Sequence, residues 1–454
     1  MNSSAGSAAA ALSNDPLTLD GLLENGQGVG RAAGMVAFVT GGLPGETVRV
    51  AVDGVKRKYV SGHVTSIEQA SPDRVVPFCP VFPACGGCQT QHLAYRAQLV
   101  WKQRMVHDAL VRLGGLRDAR VDETVASPDA EHSTGYRNKA SLVTRVAGGD
   151  VQLGFYAARS HHLVPIEGCP VLIPRLDAAL RELISYAHRA PQAFAAAQHV
   201  VARASATGDA LVLSFNSAKS NRALGTHADE LRAHISGLTG LAASWGMENE
   251  NAIFGERIAS VWGEPVLEEI VAGARLRFGI VSFFQINTAV LELVAQRVIA
   301  ELGSARRIVD LYCGVGTFGV ILGMRGVAST GVEWFKPAAD EAAANASRNG
   351  VVNAAFEQAD AKLAVSGERG RTLLARTDAV ILDPPRKGCE PALLTALTDN
   401  AVPKILYVSC NPATLARDAK MLVEQGYRLE HVTPYDMFPN TGHVEIIAVF
   451  AKER

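Results

Sequence analysis

One cysteine in this chain stands where a nucleophile would. The stretch Ile405-Leu406-Tyr407-Val408-Ser409-Cys410-Asn411-Pro412 is an apolar, partly β-branched run that ends in Ser-Cys-Asn-Pro. Such a run reads as a buried parallel strand, and proline cannot extend the ladder. Cys410 is therefore expected at the carboxyl end of a strand, where ligands collect in open α/β sheets. A second phrase, Thr441-Gly442-His443-Val444-Glu445-Ile446-Ile447-Ala448-Val449-Phe450, sets a carboxylate at the start of another buried strand. A thiol and a carboxylate are the residue types that covalent catalysis with proton transfer requires. Taken singly, each also has a plain structural reading, Cys410 as packing and Glu445 as a surface charge.

Three further thiols cluster in Cys79-Pro-Val-Phe-Pro-Ala-Cys85-Gly-Gly-Cys88, and a fourth, Cys169, lies in Pro165-Ile166-Glu167-Gly168-Cys169-Pro170. Clustered thiols with glycines that let the backbone fold around them form a metal or cluster pattern. Zinc and an iron–sulfur cluster both suit four thiolates, and spacing does not choose between them. A nucleotide-type site is written farther on. Ile308-Val309-Asp310-Leu311-Tyr312-Cys313-Gly314-Val315-Gly316-Thr317-Phe318-Gly319 reads as strand, glycine turn and helix start. The glycines admit positive φ and a close ligand. Val332-Glu333 closes the next strand, placed to bond ribose hydroxyls. Asp360 closes a third strand, and Asp383, followed by Pro384-Pro385-Arg386-Lys387-Gly388, closes a fourth. Cys313 reads as a small hydrophobe inside the turn, and Cys389 has no partner in the pattern.

The elements that must hold these groups follow from periodicity. At 454 residues the chain is too long for one core, so two or three domains are expected. Residues 1–15 (MNSSAGSAAAALSND) lack a basic n-region and read as a disordered tail, and a cytoplasmic protein is expected. Residues 16–70 alternate with period two between Gly/Pro turns, as a small antiparallel barrel does. Lys56, Arg57 and Lys58 give that barrel a basic edge beside Tyr59, which suits nucleic acid. Tyr95 to Leu113 has helical spacing, and Tyr136-Arg137-Asn138-Lys139 opens a strand-rich stretch reaching about Phe278, so 71–280 is taken as a central region. From 281 to 454 strands and helices alternate as in a doubly wound sheet. Lys plus Arg is 44 against 45 for Asp plus Glu, so nucleic-acid affinity must come from local basic patches. No apolar run approaches the ~20 residues of a membrane span.

The phrases CPVFPACGGC, GYRNK, SFFQIN, DLYCGVGTFG, ILDPPRKG, YVSCNPATLARD and TGHVE stand in one order across most of residues 70–450. In them the chain resembles the RNA uracil-C5 methyltransferases, which make 5-methyluridine in tRNA or ribosomal RNA. Gly-Gln-Gly-Val-Gly and Leu-Pro-Gly-Glu in the N-terminal segment resemble the RNA-binding TRAM barrel carried by many members. The resemblance implies a Rossmann-like, mostly parallel sheet with an antiparallel last strand, an N-terminal β-barrel and a central α+β iron–sulfur domain. It implies S-adenosylmethionine held by Gln285, Tyr312, Glu333, Asp360 and Asp383, with Cys410 as nucleophile and Glu445 as the base that removes the C5 proton. Cys79, Cys85, Cys88 and Cys169 fall on the ligands of a [4Fe–4S] cluster. The implied partner is structured RNA, tRNA or 23S rRNA, met by a monomer with no membrane association. The glycine turn departs from many members in one place, with Thr317 where they have asparagine.

The chemistry asks for the same residue types. C5 of uracil attacks an electrophilic methyl only after a thiolate adds at C6, and a base must then take the C5 proton. The base must also leave its stack to enter such a pocket, with Phe283 as a stacking partner. Cytosine-C5 enzymes resemble a pattern with Pro-Cys after the fourth strand, where this chain has Asp383-Pro384-Pro385-Arg386. A non-catalytic iron–sulfur RNA-binding protein would need the barrel and cysteines but not both Cys410 and Glu445.

Overall fold

The structure is a computed structural model that describes residues 3–128, 133–221, 223–247 and 252–453. Its first element departs from the sequence reading. Ser3–Asn14 is a helix, α1, in place of a disordered tail. Ala8 and Leu12 are fully buried against Leu17, Leu19, Val39, Val48 and Val60 of the barrel. Alanine is the best helix former, and covering an apolar barrel end supplies the burial that a short isolated helix lacks.

The barrel closes in the order β1 (Leu17–Leu22), β2 (Gln27–Ala32), β3 (Met35–Thr40), β5 (Tyr59–Gln69), β4 (Thr47–Val55). Five strands were expected to pair antiparallel throughout, yet β3 and β5 run parallel. That pairing closes the barrel and removes its edges. Arg74 fastens the chain that leaves the barrel, with Nε donating to Oε1 of the fully buried Glu46 at 2.6 Å and a terminal nitrogen to Oε2 at 2.9 Å.

The central region is built on a seven-stranded sheet that begins with Lys139–Ala147 and carries the helix Pro174–Arg189. Two parts of it belong elsewhere in space. The helix Tyr95–Arg112, α2, buries Val106 and Leu110 among Leu415, Ala416 and Ala419 of the helix Pro412–Glu424. The hairpin Val266–Val271/Ala274–Gly279 packs on the C-terminal core through Leu276 and Phe278.

The C-terminal sheet orders its strands Ala354–Gln358, Ala328–Glu333, Arg307–Leu311, Ala379–Leu382, Lys404–Ser409, Glu445–Lys452, Tyr427–Tyr435. The first five are parallel, and Glu445–Lys452 runs antiparallel to both its neighbours. Central strands such as Ala379–Leu382 are buried at every position, as a sheet covered on both faces requires. Among the described residues no helix is long and apolar enough to cross a membrane.

The packing of α1 has a direct test. Leu12→Ala should cost about 2 kcal/mol of local stability and release the amides of α1 to fast hydrogen exchange. Equal exchange of α1 in the parent and the variant would show that the helix does not rest on the barrel.

Candidate functional site

Two strand ends bring the thiol and the carboxylate together. Lys404–Ser409 pairs with Glu445–Lys452 in a register that joins Ser409 to Ile446. Cys410 directly follows Ser409 and Glu445 directly precedes Ile446, so both stand at this end of the paired strands, and the Glu445 charge acts on the Cys410 thiol. The loop after Cys410 is rigid: the Asn411 side chain caps the helix Pro412–Glu424 by accepting from the amides of Ala413 and Thr414. Asn411 Nδ2 and Thr414 Oγ1 both donate to the carbonyl of Arg386, at 3.1 and 3.2 Å, which ties this turn to the Asp383-Pro384-Pro385-Arg386 loop. Strand ends stopped by Pro384 and Pro412 thus share one rim.

The electrostatics of this rim are those of crowded acids. Cys410 is half-buried, and burial, with Glu445 and Asp383 as further causes, pushes its thiol up to about 11. Arg386 pulls it the other way. Glu445 is 2% exposed, and burial together with the Asp383 charge holds its carboxyl well above the usual range. Burial and Glu333 raise Asp383 to about 7. Asp310, fully buried under the glycine turn, is raised to about 8 by burial and then by Asp383. It accepts from the amide of Gly319 at 3.1 Å through Oδ2, while Oδ1 has no hydrogen-bond partner among the described residues. The sequence reading passed over Asp310 because it sits inside the apolar run Ile308-Val309-Asp310-Leu311. A charge within a fully buried strand was the available signal.

The glycine turn has the geometry of a ligand cradle. Gly314 and Gly316 have φ of 53° and 83°, and Tyr312 takes a left-handed φ of 64° without being glycine. A Cβ on Gly316 would stand 2.9 Å from that of Ala342, so that position admits no side chain. Glu333 accepts from the amides of Gly314 and Phe335 at 3.1 and 2.8 Å, which fixes its carboxylate at the turn and leaves lone pairs for a ligand. Tyr312 lies close to Asp360 and Cys389. Asp360 stands just past its strand, exposed, and caps the helix Ala361–Ala364 through Leu363. Cys389 is buried and donates its amide to Asp418, which also accepts from Tyr407.

Gln285 lies on a loop that the central region holds. Asn138 binds the carbonyls of Gln285 and Ile286 through its side chain and amide, at 3.2 and 2.9 Å. Arg203, fully buried over the Phe278 ring, donates to the carbonyls of Ser282 and Phe284. Phe284 stacks on Phe278 at 4.3 Å, which leaves Phe283 projecting into solvent with 71% of its surface exposed.

Cys79, Cys85, Cys88 and Cys169 are brought together at a distance from this rim. All four line one cavity of about 90 Å³ that Arg137 also faces. Burial first, and the neighbouring thiols next, raise Cys88 to about 12. Among the described residues the thiols do not close to ligating distance around one point. The four thiols and Arg137 share the lining of this one cavity, and the expected metal or cluster geometry is not formed among the described residues.

A family model described as tRNA (Uracil-5-)-methyltransferase matches residues 270–453, and the TRAM domain matches residues 16–65. The chain is 38% identical over 443 residues to an uncharacterized RNA methyltransferase of Thermosynechococcus vestitus, covering 95% of this chain and 97% of that one. It is 33% identical to another of Halalkalibacterium halodurans, covering 95% and 96%. The crystal structure of Pyrococcus abyssi tRNA (uracil-54, C5)-methyltransferase with S-adenosyl-L-homocysteine superposes with a TM-score of 0.75 at 27% identity, over 96% of this chain and 99% of that one.

The acid cluster makes one expectation independent of substrate. Asp383 ionises near pH 7, so it is already an anion where Cys410 loses its proton near 11. Asp383→Asn removes that repulsion and should lower the pH at which Cys410 becomes reactive. Alkylation of the Cys410 peptide, followed by mass spectrometry across pH, reads the shift. An unchanged profile would separate the two groups.

Proposed function

The chain belongs to the RNA uracil-C5 methyltransferase family, and from that premise we propose that it methylates C5 of a specific uridine in tRNA or 23S rRNA through a covalent adduct at Cys410. The observation that carries this reading is the antiparallel pairing that brings Cys410 and Glu445 to the same end of adjacent strands, with Asp383 acting on both.

S-adenosylmethionine supplies an electrophilic methyl group on a positively charged sulfur. Gln285, Tyr312, Glu333, Asp360 and Asp383 would hold it around the glycine turn. The donor set suits a cation: the unpartnered Oδ1 of Asp310 and the carboxyl of Asp383 lie behind a cradle that admits no side chain at Gly316. A positive ligand here offsets the mutual repulsion of the acids and draws protons off Asp383 and Glu445.

The uridine must be unstacked to enter, and Phe283 offers it or its neighbour an exposed ring. The Cys410 thiol gives up its proton to water, its sulfur forms a bond to C6, and the electron pair of the C5–C6 double bond moves out to C5 and the O4 carbonyl. C5 then forms its bond to the methyl carbon and keeps its hydrogen, while the methyl–sulfur bond of the donor breaks and its electron pair leaves on the sulfur of neutral S-adenosylhomocysteine. Glu445 takes that proton, the C5–C6 double bond returns and the C6–S bond breaks, which frees Cys410. Lys56, Arg57 and Lys58 at the exposed end of the β4–β5 hairpin, with Tyr59 tilted against Phe38 at a ring-centroid distance of 5.2 Å, give the RNA a backbone-binding edge. We read the enzyme as a cytoplasmic monomer, in keeping with its free cysteines. The four clustered cysteines would hold a [4Fe–4S] cluster whose work is to shape the chain around them.

Two variants separate nucleophile from base. Cys410→Ala should give no product and no adduct while still binding cofactor and RNA. Glu445→Gln should methylate once and remain attached to the RNA, giving a slow band on a denaturing gel that the double variant lacks. An active Cys410→Ala enzyme would end the nucleophile assignment, and an inactive Glu445→Gln enzyme without adduct would end the base assignment.

The cluster has its own test. Protein purified without oxygen should be brown and carry iron and acid-labile sulfide, both lost when Cys88 is replaced by serine. Colourless protein with stoichiometric zinc would assign the thiols to zinc instead.

A further inference from the structure

The loop that delivers Glu445 is held by parts of the chain that the reaction itself does not use. It runs from Asp436 to Val444, and Asp436, Met437, Asn440, Thr441 and Val444 are each 3% exposed or less. Lys102, buried in α2, donates to Asp436 Oδ1 at 2.5 Å and to the carbonyl of Phe438 at 2.9 Å. Tyr136 donates to the carbonyl of Pro439 at 2.9 Å.

Asn440 is where these restraints converge. Its φ of 65° is left-handed, a conformation that asparagine tolerates but that costs energy unless the surroundings impose it. Here they do. Its amide donates to Gln98 Oε1 at 2.9 Å, and its carbonyl accepts from the amides of Gln89 and Thr90 at 2.9 and 3.0 Å. Its Nδ2 donates to the carbonyl of Ser133 at 2.8 Å and approaches Ser133 Oγ at 3.1 Å, while Oδ1 accepts from Gln98 Nε2 at 3.2 Å. Every polar group of Asn440 is engaged, and by three segments remote from it in sequence. One of them, Gln89-Thr90, directly follows Cys88.

We propose that Asn440 is a positioning residue for proton removal: held by Gln98, Ser133 and the Gln89-Thr90 amides, it sets the start of the strand so that the Glu445 carboxylate meets C5. This rests on the reading of Glu445 as the C5 base. Addition at C6 and methyl transfer depend on Cys410 and the glycine turn, which the loop does not carry, so loosening it strikes the last step. The cysteine segment enters the same arrangement, because whatever fixes Cys88 also fixes the two amides that grip Asn440.

Asn440→Gly suits the left-handed backbone and keeps the main-chain bonds while removing the side-chain bonds to Gln98 and Ser133. Gln98→Met removes the restraint from the side of α2. Each variant is compared with the parent and with Glu445→Gln in single-turnover methylation, in decay of the denaturant-resistant adduct, and in binding of S-adenosylhomocysteine. Both should bind the ligand and transfer the methyl group at rates near the parent's, yet release product roughly ten- to hundredfold more slowly, so that adduct accumulates. The proposal is overturned by parent-like release in both variants, or by methyl transfer falling as far as release, which marks a merely structural loss. If Glu445→Gln itself traps no adduct, the base assignment fails and this role fails with it. If Glu445→Gln traps adduct and neither variant does, only the role of Asn440 is lost.

Discussion

The site rests on an electrostatic constraint: several ionisable acids are buried together with little positive charge among them. Asp310, Asp383 and Glu445 are each pushed upward first by burial and then by a neighbouring carboxylate. A hydrated surface would relieve that repulsion, but the strand ends are closed in by sheet and helices. Burial and mutual repulsion therefore favour the neutral forms of these acids and of the Cys410 thiol. A cationic donor is the ligand that such a site accepts best, and a neutral product is one that it holds less well. The crowding that favours the neutral forms of Cys410 and Glu445 also makes both responsive to the arrival of a positive charge.

The sheet and the rest of the chain divide this labour. The parallel strands fix the glycine turn and Cys410 through local chain geometry, with prolines after Asp383 and Asn411 closing off two of them. Glu445 comes from the antiparallel strand, whose approach loop is shaped by α2, by the cysteine segment and by the barrel. The buried Lys102–Asp436 pair shows how firmly that loop is held, since a lone charge at either place would be left uncompensated in the interior. Gln285 and Phe283 depend on Asn138 and Arg203 in the same way. The central region is thus a scaffold for both sides of the pocket.

How much of this could be read from the sequence follows the range of the forces involved. The strands ending at Leu311, Leu382 and Ser409 were legible because apolar runs that stop near glycine or proline are local signals, and the one ending at Glu333 was legible from its place after the glycine turn. Cys410 and Glu445 were legible as residue types at such ends, and the resemblance paired them. Tertiary packing hid the rest. The segment carrying α1 was read as a tail because nothing within it announces the barrel surface that covers Leu12. The membership of α2 in the C-terminal core depends on contacts such as Lys102 with Asp436, 334 residues apart. The parallel β3–β5 pair expresses barrel closure, which no single strand encodes. Asp310 was concealed by the apolar residues that bury it.

Gly442 shows what this design means for exchange of parts. A Cβ there would stand 1.8 Å from the carbonyl oxygen of Glu24 in the β1–β2 turn, and the neighbouring His443 pairs with the Glu24 carboxylate at 3.3 Å. Trp101 donates to the carbonyl of Leu22 in the same turn. The barrel is therefore not a bead on a string that can be swapped for any other of its kind. Its turn and the glycine beside the base form a lock and its key, written more than four hundred residues apart. A chimera carrying a foreign barrel inherits a working interface only if both halves travel together, so the N-terminal module and the tip of the catalytic loop are bound to change as one.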